Sequence, residues 1–542
     1  MSGTLSSQAE EIRHRAADLA ANLSGSASRS ATIAQERAVL RMLGVDGLDR
    51  AGHPLAASLA ERYCGSDSDR LARGVLLPFV VAMIEYDMPA REVALEGAAG
   101  AIDIALEAEL LERPERLAAA EKRAVELLAA ALERFDANRT ATHEMRDVLG
   151  LPAEPWLGVA LQATEVAAAA VEMRAVIGEG ADLVQVRVPA SWEFAEARRH
   201  AGLDTPGLFV FEEPVRAGGS RRRDRRRGAQ PARPPAEPVP AGSQRGLTLL
   251  RKAVDEAAAR RGRYASLMTV TSAFAAPEQA IVAAFERIDY VEADPIREIV
   301  EDNVDPDRAL ADHAFAHRLQ ARAGCRVIIG PGPLALGADV VSGIASDSVT
   351  RAGRALALQA LGVELALADG MPADRLFLGA IPEWSVGDRN NAASILLQPW
   401  LRRIVFADHH LLVGGPNGWL GSRGASVELV AALVGGAESL VLTPAVAGGV
   451  AAAAADLAAA AATAGALRTA LGVGELQGDA AELAAATLRV ASAVLERFAS
   501  EGWGSLLGTA GQGAETERLG GSGVVERASG PTSGARLLQG LL

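Results

Sequence analysis

The sequence predicts an α/β protein: a closed (β/α)8 barrel, preceded by a helical region and followed by a helical extension. Three observations predict it. Short β-branched or apolar runs recur from about residue 155, and each is followed by a helical pattern. Such alternation implies parallel βαβ units, and eight of them in roughly 290 residues suit a closed barrel better than an open sheet.

The eight runs are WLGVALQ (156–162), DLVQVRV (182–188), YASLMTV (264–270), DYVEA (289–293), CRVIIG (325–330), RLFLGAI (375–381), HLLVGG (410–415) and SLVLTP (439–444). Helical patterns such as EVAAAAVEMRAVIGEG and SVTRAGRALALQALGV lie between them. A further run, GLFVFEE (207–213), reads as part of a long loop. The boundaries expected are 1–150 for an N-terminal helical region, 151–445 for the barrel, and 446–542 for C-terminal helices and a Gly-rich tail. Residues 1–150 repeat apolar side chains at three- and four-residue spacing and hold no convincing strand. Residues 217–245, AGGSRRRDRRRGAQPARPPAEPVPAGSQR, have no apolar face and read as a disordered insertion in the barrel. Its RRRDRRR run reads as a solvated loop, with grip on phosphate or an acidic partner as the sharper alternative.

Composition excludes several classes. The chain has 542 residues, 49% hydrophobic and 23% charged, ordinary values for a folded protein. A net charge of −14 argues against a general nucleic-acid binder, which needs a basic face to displace counterions. The first residues carry no apolar signal-peptide core, and the Ala-rich stretch 446–464 is interrupted by Asp456. Cys64 and Cys325 lie far apart and give neither a disulfide framework nor a metal spacing. A cytoplasmic protein without a membrane span is expected.

In a barrel the chemistry sits where strands end at their C-terminal side and in the loops that follow. Those places hold Arg187 and Ser191 after the second run, Ser272 after the third, and Asp294 and Arg297 after the fourth. Glycine-bearing loops follow the fifth and seventh runs, at Pro331–Pro333 and Pro416–Trp419. An arginine, hydroxyls and such loops suit a phosphate or carboxylate ligand, although strand-end glycines and serines also simply shape turns. Asp408–Gly414 approaches the Asp-x-His-x-x-Gly pattern of cobalamin binding, but its glycine is one position late and the segment leads into a strand. His313 and His317, four apart on a helix, lack a carboxylate pattern around them and read as structural, so no metal site is expected. The GPGPLALG segment (330–337) has neither a P-loop lysine nor a dinucleotide-binding spacing. Only two lysines occur, Lys122 and Lys252, both in helical patterns, so neither is placed for a Schiff base at the mouth. An aldehyde cofactor would need its lysine from another chain.

The segments resemble the α (large, TIM-barrel) subunit of lysine 5,6-aminomutase, akin to the barrel part of ornithine 4,5-aminomutase. The resemblance is carried by Gln35–Gly47 (QERAVLRMLGVDG), GEGADLVQVR (178–187), LLRKAVDEAAARRGRY (249–264), APEQAIVAAFERIDYV (276–291) and GGSGVVERA (520–528). It implies an isomerase that moves an amino group between adjacent carbons by radical chemistry. Adenosylcobalamin would start the radical and pyridoxal phosphate would carry the nitrogen. A small partner subunit would hold the cobalamin and supply the missing lysine, in a hetero-oligomer acting on a small amino acid. The resemblance implies cofactor contacts from Arg187 and Ser272, and from Ser191 by a one-residue shift. Arg297 falls where the family has a cofactor-site tyrosine, Asp302 where it has an arginine, and Gly332 where it has an aspartate. The chain is therefore expected to be a divergent member. The alternatives are a non-catalytic barrel that lost the cofactor site, and a barrel that binds another small ligand.

Overall fold

The computed structural model describes residues 2–27, 30–49, 54–161, 165–186, 244–270, 275–300, 304–330, 348–380, 400–406, 409–415, 438–442, 462–463, 466, 479–506 and 527–542. Eight strands close into a parallel barrel: β2 (Trp156–Ala160), β3 (Leu183–Gln185), β4 (Ser266–Val270), β5 (Tyr290–Glu292), β6 (Arg326–Ile329), β7 (Leu376–Ala380), β8 (His410–Gly415) and β9 (Ser439–Leu442). They follow chain order around the barrel, and β9 pairs back onto β2 with Trp156 opposite Ser439. Each strand lies within one of the eight predicted runs. Outward residues such as Val159, Val184, Leu267, Val291 and Val327 are fully buried under the surrounding helices. Burial on both faces is why the runs read as near-continuous apolar stretches.

Helix α1 (Ser2–Ala27) packs against α14 (Ser348–Ala368) and α15 (Asp479–Glu501). Its buried stripe is Leu5, Ala9, Ile12, Ala16 and Ala20, and it belongs to the same apolar cluster as the outer face of the barrel. The small side chains let the helices approach closely. At Gly353 of α14 a Cβ would come within 2.6 Å of the Val490 side chain on α15.

A second apolar cluster is formed by α2 (Ile33–Met42), α3 (Leu55–Cys64), α4 (Ser68–Arg73), α5 (Leu76–Tyr86), α6 (Ala90–Ala99), α7 (Ile104–Glu107) and α8 (Pro114–Leu149). It meets the barrel through α11 (Ala276–Phe285) and α13 (Pro306–Ala323). The structure departs here from the sequence reading, which found only helix before residue 150. Ser30–Thr32 form a strand, β1, paired antiparallel with β10 (Arg527–Ser529) near the other end of the chain. The closing helix α16 (Ser533–Leu541) is capped by Thr532 Oγ1, which accepts from Ala535 N at 3.1 Å, and it buries Leu538 in the second cluster.

The remaining barrel helices are α9 (Val166–Gly178), α10 (Gln244–Arg261) and α12 (Pro295–Val300). Of the predicted insertion 217–245, only Gln244 and Arg245 lie within the described residues, and they open α10. The 207–213 run lies outside the described residues. Cys64 and Cys325 are buried and unpaired, with burial pushing the Cys325 thiol up to about 12. Among the described residues no helix is long and apolar enough to cross a membrane.

Candidate active site at the barrel mouth

Strand pairing fixes which side chains share a level inside the barrel, because each level is filled from alternate strands. At the N-terminal end stand Trp156, Arg326 and His410, the first residues of β2, β6 and β8. The indole of Trp156 stacks on His410 at 4.8 Å and Phe377 lies 4.7 Å from the same imidazole. The Arg326 guanidinium sits over Tyr290 at 5.2 Å and Phe377 at 5.8 Å. Burial, then the charge of Arg326, push His410 down to about 4, and the Glu154 and Glu438 carboxylates 3.7 and 3.8 Å away do not offset this. Above them come Leu183, Tyr290 and Phe377, then Met268, Ile328 and Leu412, all one buried cluster. This end is therefore plugged.

Two residues further along β3 and β5 the interior turns polar. Gln185 follows Leu183 and Glu292 follows Tyr290 on the same faces, and the registers place both at one level with Val441 and Gly379. Gln185 is 0% exposed and Glu292 1%. The Gln185 amide has no hydrogen-bond partner for either Oε1 or Nε2 among the described residues. Glu292 receives the guanidinium of Arg297 in an ion pair. Gly379 contributes no side chain, so this level is less filled than those below. The sequence reading passed over Gln185 and Glu292. The signal was present: in DLVQVRV, Gln185 and Arg187 break the apolar run at alternate positions, the mark of an inward polar face.

Beyond it, hydrogen bonds tie the starts of the loops after β5 and β6 together. Asp294 accepts hydrogen bonds from Ile296 N at 2.9 Å and Arg297 N at 3.2 Å, which fixes the start of α12. Its other oxygen accepts from Gly330 N at 2.9 Å, tying the end of β6 to the β5 loop. Burial raises the Asp294 carboxyl above its ordinary range. Gly330 has φ +101°, and a Cβ there would lie 2.4 Å from Gln359 Nε2. That amide donates to Ile329 O at 2.8 Å and Gly379 O at 2.7 Å, and Arg402 Nε donates to Gln359 Oε1 at 2.9 Å.

Among the sequence-predicted site residues, Arg297 is thus placed at the mouth, on the Glu292 carboxylate. Arg187, Ser191, Ser272, Asp302 and Gly332 lie outside the described residues. His313 and His317 are fully buried behind the barrel, 3.1 Å from Glu298 Oε1 and 3.1 Å from Asp369 Oδ2 respectively. For His313 burial opposes the charged form, but Glu298 holds its pKa above the ordinary value; for His317 burial outweighs Asp369 and lowers it. Lys122 and Lys252 are exposed on α8 and α10, on the outside of the molecule.

A closed barrel of eight parallel strands, with aromatics filling one end and polar side chains near the other, is a TIM barrel, a fold whose ligand sites lie at the C-terminal mouth. The family profile described as the D-lysine 5,6-aminomutase TIM-barrel domain of alpha subunit matches residues 5–191 and 241–420. The chain belongs to that family. The lysine 5,6-aminomutase alpha subunit of Fusobacterium nucleatum is 24% identical over 398 residues, 73% of this chain and 68% of that one. The alpha subunit of Acetoanaerobium sticklandii is 23% identical over the same shares. Among solved structures, a dihydropteroate synthase from Anaplasma phagocytophilum shares 12% identity at TM-score 0.33, covering 58% of this chain and 98% of its own.

Proposed function

We propose that this chain is the large subunit of an aminomutase that moves an amino group between adjacent carbons of a small amino acid. Family membership is the observation that carries this reading. The placement of the lysines supports the division of labour: both are exposed on outer helices, so a lysine that anchors an aldehyde cofactor comes from a small partner subunit. Pyridoxal phosphate would carry the migrating nitrogen and adenosylcobalamin, held mainly by that partner, would supply the radical.

For the chain's own residues the proposal is a non-covalent half-site. Arg187, two residues beyond the inward-facing Gln185 in sequence, is the proposed phosphate fork, with Ser191 and Ser272 as hydroxyl donors. Arg297 is assigned differently from the sequence reading. Its guanidinium is engaged by Glu292, and an anion at that position disfavours a phosphate beside it, so Arg297 belongs on the substrate side. The aromatic plug and apolar levels below keep water from the floor of the mouth, which strengthens every charge interaction there.

The test is co-expression with a small subunit that carries a cobalamin-binding motif and a lysine-bearing loop. The expected result is a stable complex that takes up both cofactors, read by its absorbance spectrum, and isomerises D- or L-lysine. Arg187→Ala is expected to reduce bound pyridoxal phosphate. A complex that takes up neither cofactor identifies a non-catalytic barrel.

A further inference from the structure

Gln185 is a buried amide with both hydrogen-bonding atoms unsatisfied among the described residues, near the C-terminal end of its strand. Buried amides in folded proteins are nearly always paired, because an unpaired one forfeits its hydration without return. Such a group, on an inward face near the C-terminal end of a barrel strand, is available to pair with a ligand. At the same level stand an anion, Glu292, and the cation Arg297 bound to it. A phosphate would be repelled by Glu292, and a simple amine by Arg297. A group with an ammonium and a carboxylate on one carbon satisfies all three: the ammonium donates to Glu292 and Gln185 Oε1, and the carboxylate accepts from Arg297 and Gln185 Nε2.

We infer that Gln185, with the Glu292–Arg297 pair, forms the head-group site for a zwitterionic α-amino acid, and that Gln185 determines specificity for it. This rests on the aminomutase reading for the class of ligand, and it names the residues that recognise that ligand. Binding needs neither cofactor, so it is measured on the full chain, alone and with its co-purified small subunit.

The probes are D- and L-lysine, 1,5-diaminopentane, which lacks the carboxylate, and 6-aminohexanoate, which lacks the α-ammonium. Calorimetry is expected to show lysine binding, with each incomplete probe at least about tenfold weaker. Gln185→Leu keeps the volume and removes both polar atoms. It is expected to weaken lysine binding by about 10–100-fold while raising the melting temperature by about 1–3 °C, since an unpaired amide is removed. A side chain with only a structural role would move stability down and leave the ratios between probes unchanged. Gln185→Met gives a second, more adaptable replacement if the leucine variant does not fold. The inference is overturned if either variant binds lysine as the parent does, if 1,5-diaminopentane binds as tightly as lysine, or if the parent binds no amino acid. Loss of lysine binding in the variants, in a complex that never isomerises lysine, would instead retain the head-group site and reject the aminomutase reading.

Discussion

At the scale of single residues, the chain holds several charges in places where only a partner makes them tolerable. Glu278 of α11 is 2% exposed and accepts from Arg37 Nε and Arg41 Nε, each at 2.9 Å. These two arginines belong to the QERAVLRMLGVDG block, so a segment conspicuous in sequence is explained here by packing: it fastens the helical cluster to the barrel. Glu278→Ala would leave two buried guanidiniums short of their shared anion. The expected loss is about 3–5 kcal/mol of stability, read by chemical denaturation. Gln185 is the opposite case, a polar group left unpaired where a ligand arrives. Sequence alone does not separate the two, since both are polar residues in apolar company. Separating them requires knowing which face of which element each occupies, and which atoms lie opposite.

At the scale of elements, legibility followed periodicity. All eight barrel strands were visible because each is an apolar run with turn residues beside it and a helical pattern after it in the sequence. Strands β1 and β10 are three residues each, too short for any period, and they pair across nearly the whole chain. Local pattern carries no information about such a contact. Their pairing makes the C-terminal residues part of the second apolar cluster, alongside Leu538 of α16. Removal of residues 527–542 is therefore expected to loosen α2 and α4 while leaving the barrel strands protected. Hydrogen exchange read by mass spectrometry checks this: amides of 33–42 and 68–73 should exchange faster, and those of 326–329 should not change. Equal loss of protection in both regions would mean that the cluster and the barrel unfold as one unit.

At the scale of the whole molecule, two buried groups at distant places give stability opposite dependences on pH. His410, in the aromatic plug, is lowered from 6.5 to about 4 by burial and then by Arg326. The unfolded chain takes up this proton first, so its contribution is fully present above pH 6.5 and is lost as pH falls through 4. Glu36 on α2 is raised from 4.5 to about 7 by burial, which outweighs its hydrogen bonds to Thr532 and to Val75 N. The unfolded chain releases this proton first, so its contribution is present below pH 4.5 and is lost as pH rises through 7. Between pH 4.5 and 6.5 the two slopes oppose each other, and the parent protein should show a shallow profile from these groups. Each substitution should expose the other slope. Glu36→Gln keeps the shape and removes the titration, so its stability relative to the parent should increase from pH 4.5 to pH 7. His410→Phe keeps an aromatic ring beside Trp156 and should do the reverse, gaining on the parent as pH falls from 6.5 towards 4. Urea midpoints for the parent and both variants at pH 4.5, 5.5, 6.5 and 7.5 check the signs. If the two difference profiles run in the same direction, one of the buried groups does not titrate as its surroundings require.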